Sequence, residues 1–419
     1  MNEHQREDSM DELQLKSKKS RPVIGLVMTG GGARGAYQAG VLKRIGELRR
    51  IRRGRSPFRI VAGASAGAVN GAGVAAGNHD LYSGTRLIAE IWANLKAENV
   101  YRTDLGALAG NSARWIKDLS FGGFFGGGRA QSLLDASPLR TTLLKHLDFS
   151  QIQDNIDRGF LYAATIAATN YATGKAYMFV QGAPGHPIWQ KSRRITLSTQ
   201  LTVNHILASA AIPIVFQPVE LGTENGRFFF GDGCLRLTTP LSPVIRLGAE
   251  KILAVGVRST KPLEDKLFFG THNSPQELES PPLAQVLGVI FNAIFLDHLD
   301  ADVEHLMRLN KLIEVAGLNQ PQIGGEPIRT VDALAITPSL DLGHLAEPFA
   351  TRLPKVVHYL MAGLGSKAST SYDLMSYLLF DPEFTKALID VGYRDATEKI
   401  DQIEDFLFGR STMEVDPST

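Results

Sequence analysis

The chain has 419 residues, of which 44% are hydrophobic and 21% charged, an apolar share far above that of a disordered polypeptide. Lys and Arg number 44 against 43 Asp and Glu, a net charge of +1, which excludes a global basic field for nucleic acid. A single cysteine, Cys234, excludes an intramolecular disulfide framework and a cysteine-based zinc cluster, and it is compatible with a reducing compartment.

Residues 1–20 alternate acids, bases and polar groups without the apolar core of a secretory signal. Order is expected from Pro22, where an apolar run over 23–28 ends in glycines, the pattern of a strand buried on both faces. Tyr37, Val41, Ile45 and Leu48 then recur at helical spacing. A second buried strand is expected over 58–62 and a small-residue helix over 66–76. Strand, glycine turn and helix, twice over, predict a parallel sheet with crossover helices.

Residues 79–150 read as a helical insertion, broken by a flap candidate in which Phe121, Phe124 and Phe125 stand among glycines. Thr173-Gly174 and Asn225-Gly226 mark two hairpins, the second running into Phe228-Phe229-Phe230. Helices are expected over 203–211 and from Ser242-Pro243, with a further buried strand over 252–257. Residues 261–282 form a polar linker, and the remainder to 410 reads as a helical extension before a tail over 411–419. Within it, the apolar stretch 283–296 is interrupted by Gln285 and Asn292, short of the roughly 18–20 residues a membrane span needs. A cytoplasmic protein with at most peripheral membrane contact is expected.

Gly63-Ala64-Ser65-Ala66-Gly67 fits the G-x-S-x-G elbow, in which a sharp strand-to-helix turn lifts a serine hydroxyl above the sheet. The amides of the following helix then face any negative charge that develops there. Gly30-Gly31-Gly32-Ala33-Arg34-Gly35 satisfies the dinucleotide fingerprint G-x-G-x-x-G. That reading requires an acid about 20 residues on. The nearest, Glu47, lies mid-helix, and the second strand leads into the serine elbow instead. Consecutive glycines also present free amides to an oxyanion, with Arg34 supporting the loop or meeting an anionic substrate. His298, His305, His344 and His358 fall on helical or linker patterns, unlike the loop histidine of a Ser-His-Asp triad. Asp232, between Gly231 and Gly233 after an apolar strand, is a candidate base, because desolvation raises a carboxylate's proton affinity.

The loop at 30–35, the elbow at 63–67 and Asp232-Gly233 occur in the order and at the separations of the patatin-like phospholipases, which the chain resembles over about residues 22–257. The stretches 208–213 and 240–256 resemble that family too. The resemblance implies a three-layer α/β/α domain over 21–260 with a central, mostly parallel sheet, followed by the helical C-terminal extension over 283–410. It implies a serine–aspartate dyad. Ser65 attacks an ester carbonyl of a phospholipid or lysophospholipid, and Asp232 takes the proton. Amides of Gly30, Gly31, Gly32, Ala33 and Arg34, with Ala66, form the oxyanion hole. No cofactor, metal or nucleic-acid partner is implied. Cys234 departs from the Gly or Ala that usually follows Asp-Gly in the family, and reads as a packed small side chain. A Ser-His-Asp esterase, an acyltransferase using the same dyad, and a non-catalytic lipid-binding protein are the competing readings.

Overall fold

The computed structural model describes residues 22–103, 132–259, 283–295, 298–317, 322–323, 326–363 and 372–409. The phenylalanine–glycine segment at 121–128, the linker over 261–282 and both tails lie outside them.

The strands in chain order are β1 Ile24–Met28, β2 Phe58–Gly63, β3 Ala163–Asn170, β4 Ala176–Gly182, β5 Gln190–Lys191, β6 Arg194–Ser198, β7 Val219–Thr223, β8 Gly226–Asp232 and β9 Lys251–Val255. A small antiparallel ribbon, β10 Gln322–Ile323 with β11 Glu326–Pro327, precedes β12 Asp332–Ile336. The main sheet runs β12-β9-β1-β2-β3-β4-β6-β5, and β8 pairs with both β3 and β7. From β12 to β3 every neighbour is parallel. Every residue of β1 and of β3 is buried, as near-continuous apolar runs covered on both faces by crossover helices should be.

Helix α1 Gly35–Gly46 follows β1, and α2 Ala66–Ala76 follows β2. Next come α3 Leu81–Ala93, α4 Ser137–His146, α5 Val203–Ser209, α6 Leu283–Phe295, α7 His298–Val315, α8 Tyr372–Leu378, α9 Pro382–Glu398 and α10 Ile400–Phe408. The result is an α/β/α fold with a mostly parallel sheet and C-terminal helices. Two features order the site. The β1/β2 register sets Met28 beside Gly63, so the glycine loop and the serine elbow leave the sheet side by side. The β3/β8 register sets Asp232 beside Ala168, so an antiparallel strand returns the aspartate to the same region.

The late part of the chain is not wholly helical. β12 extends the sheet in parallel beside β9, although Asp-Ala-Leu-Ala contains no β-branched residue before Ile336. Local propensity there favours helix, and the ladder offered by β9 overrides it. α9 also lies backbone to backbone against α1. A Cβ on Gly40 would come within 2.0 Å of the Ile389 carbonyl oxygen, and one on Gly392 within 2.1 Å of that of Tyr37. The C-terminal helices are therefore part of the core.

Candidate active site

Ser65 caps α2 with φ 55° and ψ −126°, a backbone state that costs a non-glycine residue on the order of 1–3 kcal/mol and persists only where the surroundings impose it. The surroundings do so by crowding. A Cβ on Gly67 would lie 2.2 Å from the Met28 carbonyl oxygen, and one on Gly63 would lie 2.1 Å from that of Gly67. The Ala64 amide donates to the Met28 carbonyl at 3.3 Å, and the Ser65 amide donates to Oγ of the buried Ser209 on α5 at 3.0 Å. Ser209 was not singled out in the sequence; its only signal is membership of the 208–213 stretch.

The glycine loop passes directly over the serine. A Cβ on Gly30 would stand 2.8 Å from the Ser65 Cβ and 2.4 Å from Sγ of Cys234. Gly32 takes φ +57° with its α-carbon facing the Tyr377 carbonyl, so a side chain fits there neither in conformation nor in space. The six loop and elbow residues expected to cradle an oxyanion do not behave alike. The Arg34 amide donates to Gly31 O at 3.1 Å, and the Gly30 amide is engaged by the Cys234 thiol. Gly32 and Ala66 line one cavity together with Ser65.

Arg34 is no ligand for an anionic substrate. It is 2% exposed and is clamped by α8: Nε donates to Ser376 Oγ at 2.8 Å, Nη2 reaches Asp373 Oδ1 at 2.9 Å, and the guanidinium lies 4.5 Å from the Tyr377 ring centroid. Behind the loop, Gln38 donates to the carbonyls of Thr29 and Val255 and accepts from Asn70, which accepts from the Trp92 indole. This buried chain fixes the exit of β1, the first turns of α1 and α2, and α3 relative to one another.

Asp232 ends β8 fully buried. Its amide donates to Ala211 O, its carbonyl accepts from Thr169 Oγ1, and Oδ1 accepts from the Cys234 amide at 2.9 Å. Burial pushes the carboxyl up from 3.8 to about 7, against the stabilising pull of the Ser65 hydroxyl and of the Cys234 amide and thiol. Oδ2 completes no hydrogen bond of ordinary geometry among the described residues. Such a carboxylate is partly protonated near neutrality and accepts a proton readily. Burial and the adjacent Asp232 push the Cys234 thiol well above its usual range, so it remains a neutral thiol rather than a nucleophile.

Ser65 also lines an apolar cavity with Val69, Ile91, Trp92, Leu139, Leu143 and Phe216. Its free space is about 40 Å³, far less than the several hundred cubic ångströms of an ordinary ligand pocket. With Ser65 1% exposed and Asp232 0%, the site is closed to solvent. Histidine takes no part in the Ser65–Asp232 pairing among the described residues. His205 is buried, accepts from the Thr202 amide and stands 4.7 Å edge-on to Phe179, and burial lowers it to about 4. His305, His344 and His358 are exposed, and His298 lines a small cavity on the Cys234 side. Among the described residues no cluster of three His, Cys, Asp or Glu is placed to hold a metal. None of the described helices is long and apolar enough to cross a membrane. The arginine run after α1 is partly structural: Arg50 pairs with Glu404 and covers Phe408, Arg52 covers Tyr82 and Arg55 covers Phe160.

A mostly parallel sheet with a glycine loop and a serine elbow at adjacent strand ends is the fold of a lipid-hydrolase class. The family model of patatin-like phospholipases matches residues 26–245, more than half of the chain, and the chain belongs to that family. No protein with a curated description matches it in sequence. Among solved structures it is similar to VipD from Legionella pneumophila, with 14% identity and a TM-score of 0.34 over 91% of this chain and 67% of that one. It is also similar to human GIVD cytosolic phospholipase A2, with 13% identity and a TM-score of 0.42 over 92% and 60%. A third likeness is the ExoU–SpcU complex of the type III secretion system of Pseudomonas aeruginosa, with 13% identity and a TM-score of 0.25 over 92% and 60%. The chain thus spans about three fifths to two thirds of the length of these structures.

Proposed function

We propose that the chain is a serine acyl hydrolase that removes ester-linked acyl chains from glycerophospholipids or lysophospholipids, with a phospholipase A or lysophospholipase activity. The observation that carries this reading is the fully buried Asp232 carboxyl, raised to about 7 and acted on by the Ser65 hydroxyl. Asp232 takes the Ser65 proton as Oγ attacks the ester carbonyl. The amides of Gly31, Gly32, Ala33 and Ala66 hold the tetrahedral oxyanion, and the positive end of α2 adds to them. The leaving lysolipid or glycerol alcohol recovers the proton. Asp232 then draws a proton from water, which attacks the acyl-serine ester, and returns that proton to Ser65 Oγ as the acyl–oxygen bond breaks and the fatty acid is released. The acyl chain lies in the cavity beside Leu143 and Phe216.

Peripheral contact with the bilayer belongs to the same proposal. Leu283, Val286, Val289 and Ile290 are exposed on α6, while Phe295 at its end reaches the space beside Gly30. A helix that is apolar outside and abuts the glycine loop inside would touch lipid and open the site together. The test is product analysis by mass spectrometry on mixed-chain phospholipids, with Ser65→Ala as the comparison and a fluorophosphonate to label Ser65. Wild type is expected to release fatty acid and take the label. Equal release by Ser65→Ala would overturn the mechanism.

A further inference from the structure

β2 begins at Phe58 and delivers Ser65 just beyond its far end, so the residues before Phe58 stand about 20 Å of strand away from the serine elbow. This opposite pole of the sheet is crowded with arginine. Arg49, Arg50, Arg52, Arg53 and Arg55 lie between α1 and β2, and all are exposed. Arg86 of α3 and Arg158, which precedes β3, join them by sharing aromatic rings. Arg52 and Arg86 lie 4.8 and 5.3 Å from the centroid of Tyr82, and Arg55 and Arg158 lie 5.1 and 4.9 Å from that of Phe160. The two guanidiniums on each ring are therefore within about 10 Å of each other, close to the Debye length of physiological salt, where like charges still repel.

The fold itself does not account for this crowding. The dipole of α1 is already met by Lys43 and Arg44 in its last turn, both drawn over Tyr393. Arg50 pairs with Glu404 at 3.8 Å, and none of the other arginines of the pole reaches a carboxylate among the described residues. Acids close to them in sequence are engaged elsewhere. Glu47 accepts from the Tyr393 hydroxyl at 2.6 Å, Asp80 from the Ser83 amide at 3.2 Å, and Asp157 from Gln153 at 2.8 Å. Arg86 gives one donor to the Tyr82 hydroxyl at 2.9 Å, while the guanidiniums of Arg49, Arg52, Arg53, Arg55 and Arg158 donate to no protein atom among the described residues. Rings thus hold several of these groups in place and leave their donors unused.

We propose that this arginine pole is a docking surface for an acidic protein segment, a run of Asp and Glu on a partner, and that it leaves the end of the sheet bearing Ser65 free. Guanidinium forks match the paired oxygens of a carboxylate. A bilayer held at this pole would keep Ser65 away from lipid. Tyr82 and Phe160 already lie under arginine, which deprives single-stranded nucleic acid of a stacking platform. With a net charge of +1 over the whole chain, a surplus of cations here means a surplus of acids elsewhere, which repels a long polyanion but not a short segment that touches the pole alone.

The inference holds whether or not the chain cleaves lipid. It is tested on the full-length protein by fluorescence anisotropy with a labelled oligoglutamate of about ten residues, which spans about 33 Å when extended, against a single-stranded oligonucleotide of equal charge. Saturable binding of the oligoglutamate is expected, tighter than that of the oligonucleotide and weakened by added salt. Arg52→Gln combined with Arg55→Gln is expected to weaken it about tenfold or more. Arg49→Gln combined with Arg53→Gln, at positions that touch neither ring nor carboxylate, should weaken it several-fold, and this pair decides should the first fail to fold. No binding by wild type at low salt, tighter binding of the oligonucleotide, or variants that bind the oligoglutamate as tightly as wild type would overturn the proposal. So would flotation on phosphatidylserine vesicles that the same substitutions abolish.

Discussion

The turns after β1 and β2 are shaped by what the backbone demands, whereas α8, more than 300 residues later, contributes through side chains. At the turns, close approach and positive φ demand glycine and small residues, so the demand is written into a short stretch of sequence. In α8, Asp373, Ser376 and Tyr377 are ordinary helix residues until the fold brings Arg34 to them. Reactive geometry is thus set locally, and its rigidity is supplied from a distance.

The most severe way to break this division is at the reacting groups. Ser65→Ala and Asp232→Asn are each expected to lower fatty-acid release by about four orders of magnitude or more, while every single His→Ala retains most of it. A His298→Ala variant as inert as Ser65→Ala would move the base away from Asp232. The brace is tested next. Arg34→Ala removes a buried guanidinium with its packing on Tyr377 and its hydrogen bond to Ser376, and is expected to cost about 3 kcal/mol in urea unfolding. Asp373→Asn, whose side chain is 45% exposed, should cost about 1 kcal/mol or less and lower kcat more than it raises KM.

The pH dependence sharpens the contrast from the other side. A base that titrates at about 7 should make kcat/KM rise roughly tenfold per unit below that pH and level off above it. The same raised value means that the folded chain holds a proton which the unfolded chain has released between about 4 and 7. Through Asp232, stability therefore falls as pH rises across that window. Asp232→Asn should abolish this part of the slope and melt at a higher temperature than wild type at pH 8. Smallest of all, Leu143→Ala widens the cavity beside Ser65 and should shift the preferred acyl length by a few-fold in competition assays.

Much of the fold was legible because its signals are local. The buried runs at β1, β2 and β9, the Asn225-Gly226 turn into β8 and the helices after the two glycine turns all stand where their residues suggest. β12 was not legible, since its alanines and leucine favour a helix and only the β9 edge makes them a strand. The site divides the same way. Ser65, Asp232 and the glycine loop carry their own punctuation, but nothing around Ser209 announces that its hydroxyl holds the Ser65 amide. Arg34 was read as a loop support or an anion contact, and its helical partners could not be found without the fold. Cys234 was read as a packed small residue. It is that, and it also places a thiol between the Gly30 amide and the Asp232 carboxyl.

The clamp on Arg34 has a consequence for biogenesis. Its partners lie 339 and 342 residues downstream, so a nascent chain can assemble β1, β2, β3 and β9 on the ribosome while the guanidinium still waits for its counterion. Fragments released early by stalling or by a protease would hold Ser65, Asp232 and the glycine turn, yet with the turn unsecured. The order of synthesis itself thereby delays the bracing of that turn until α8 has been made.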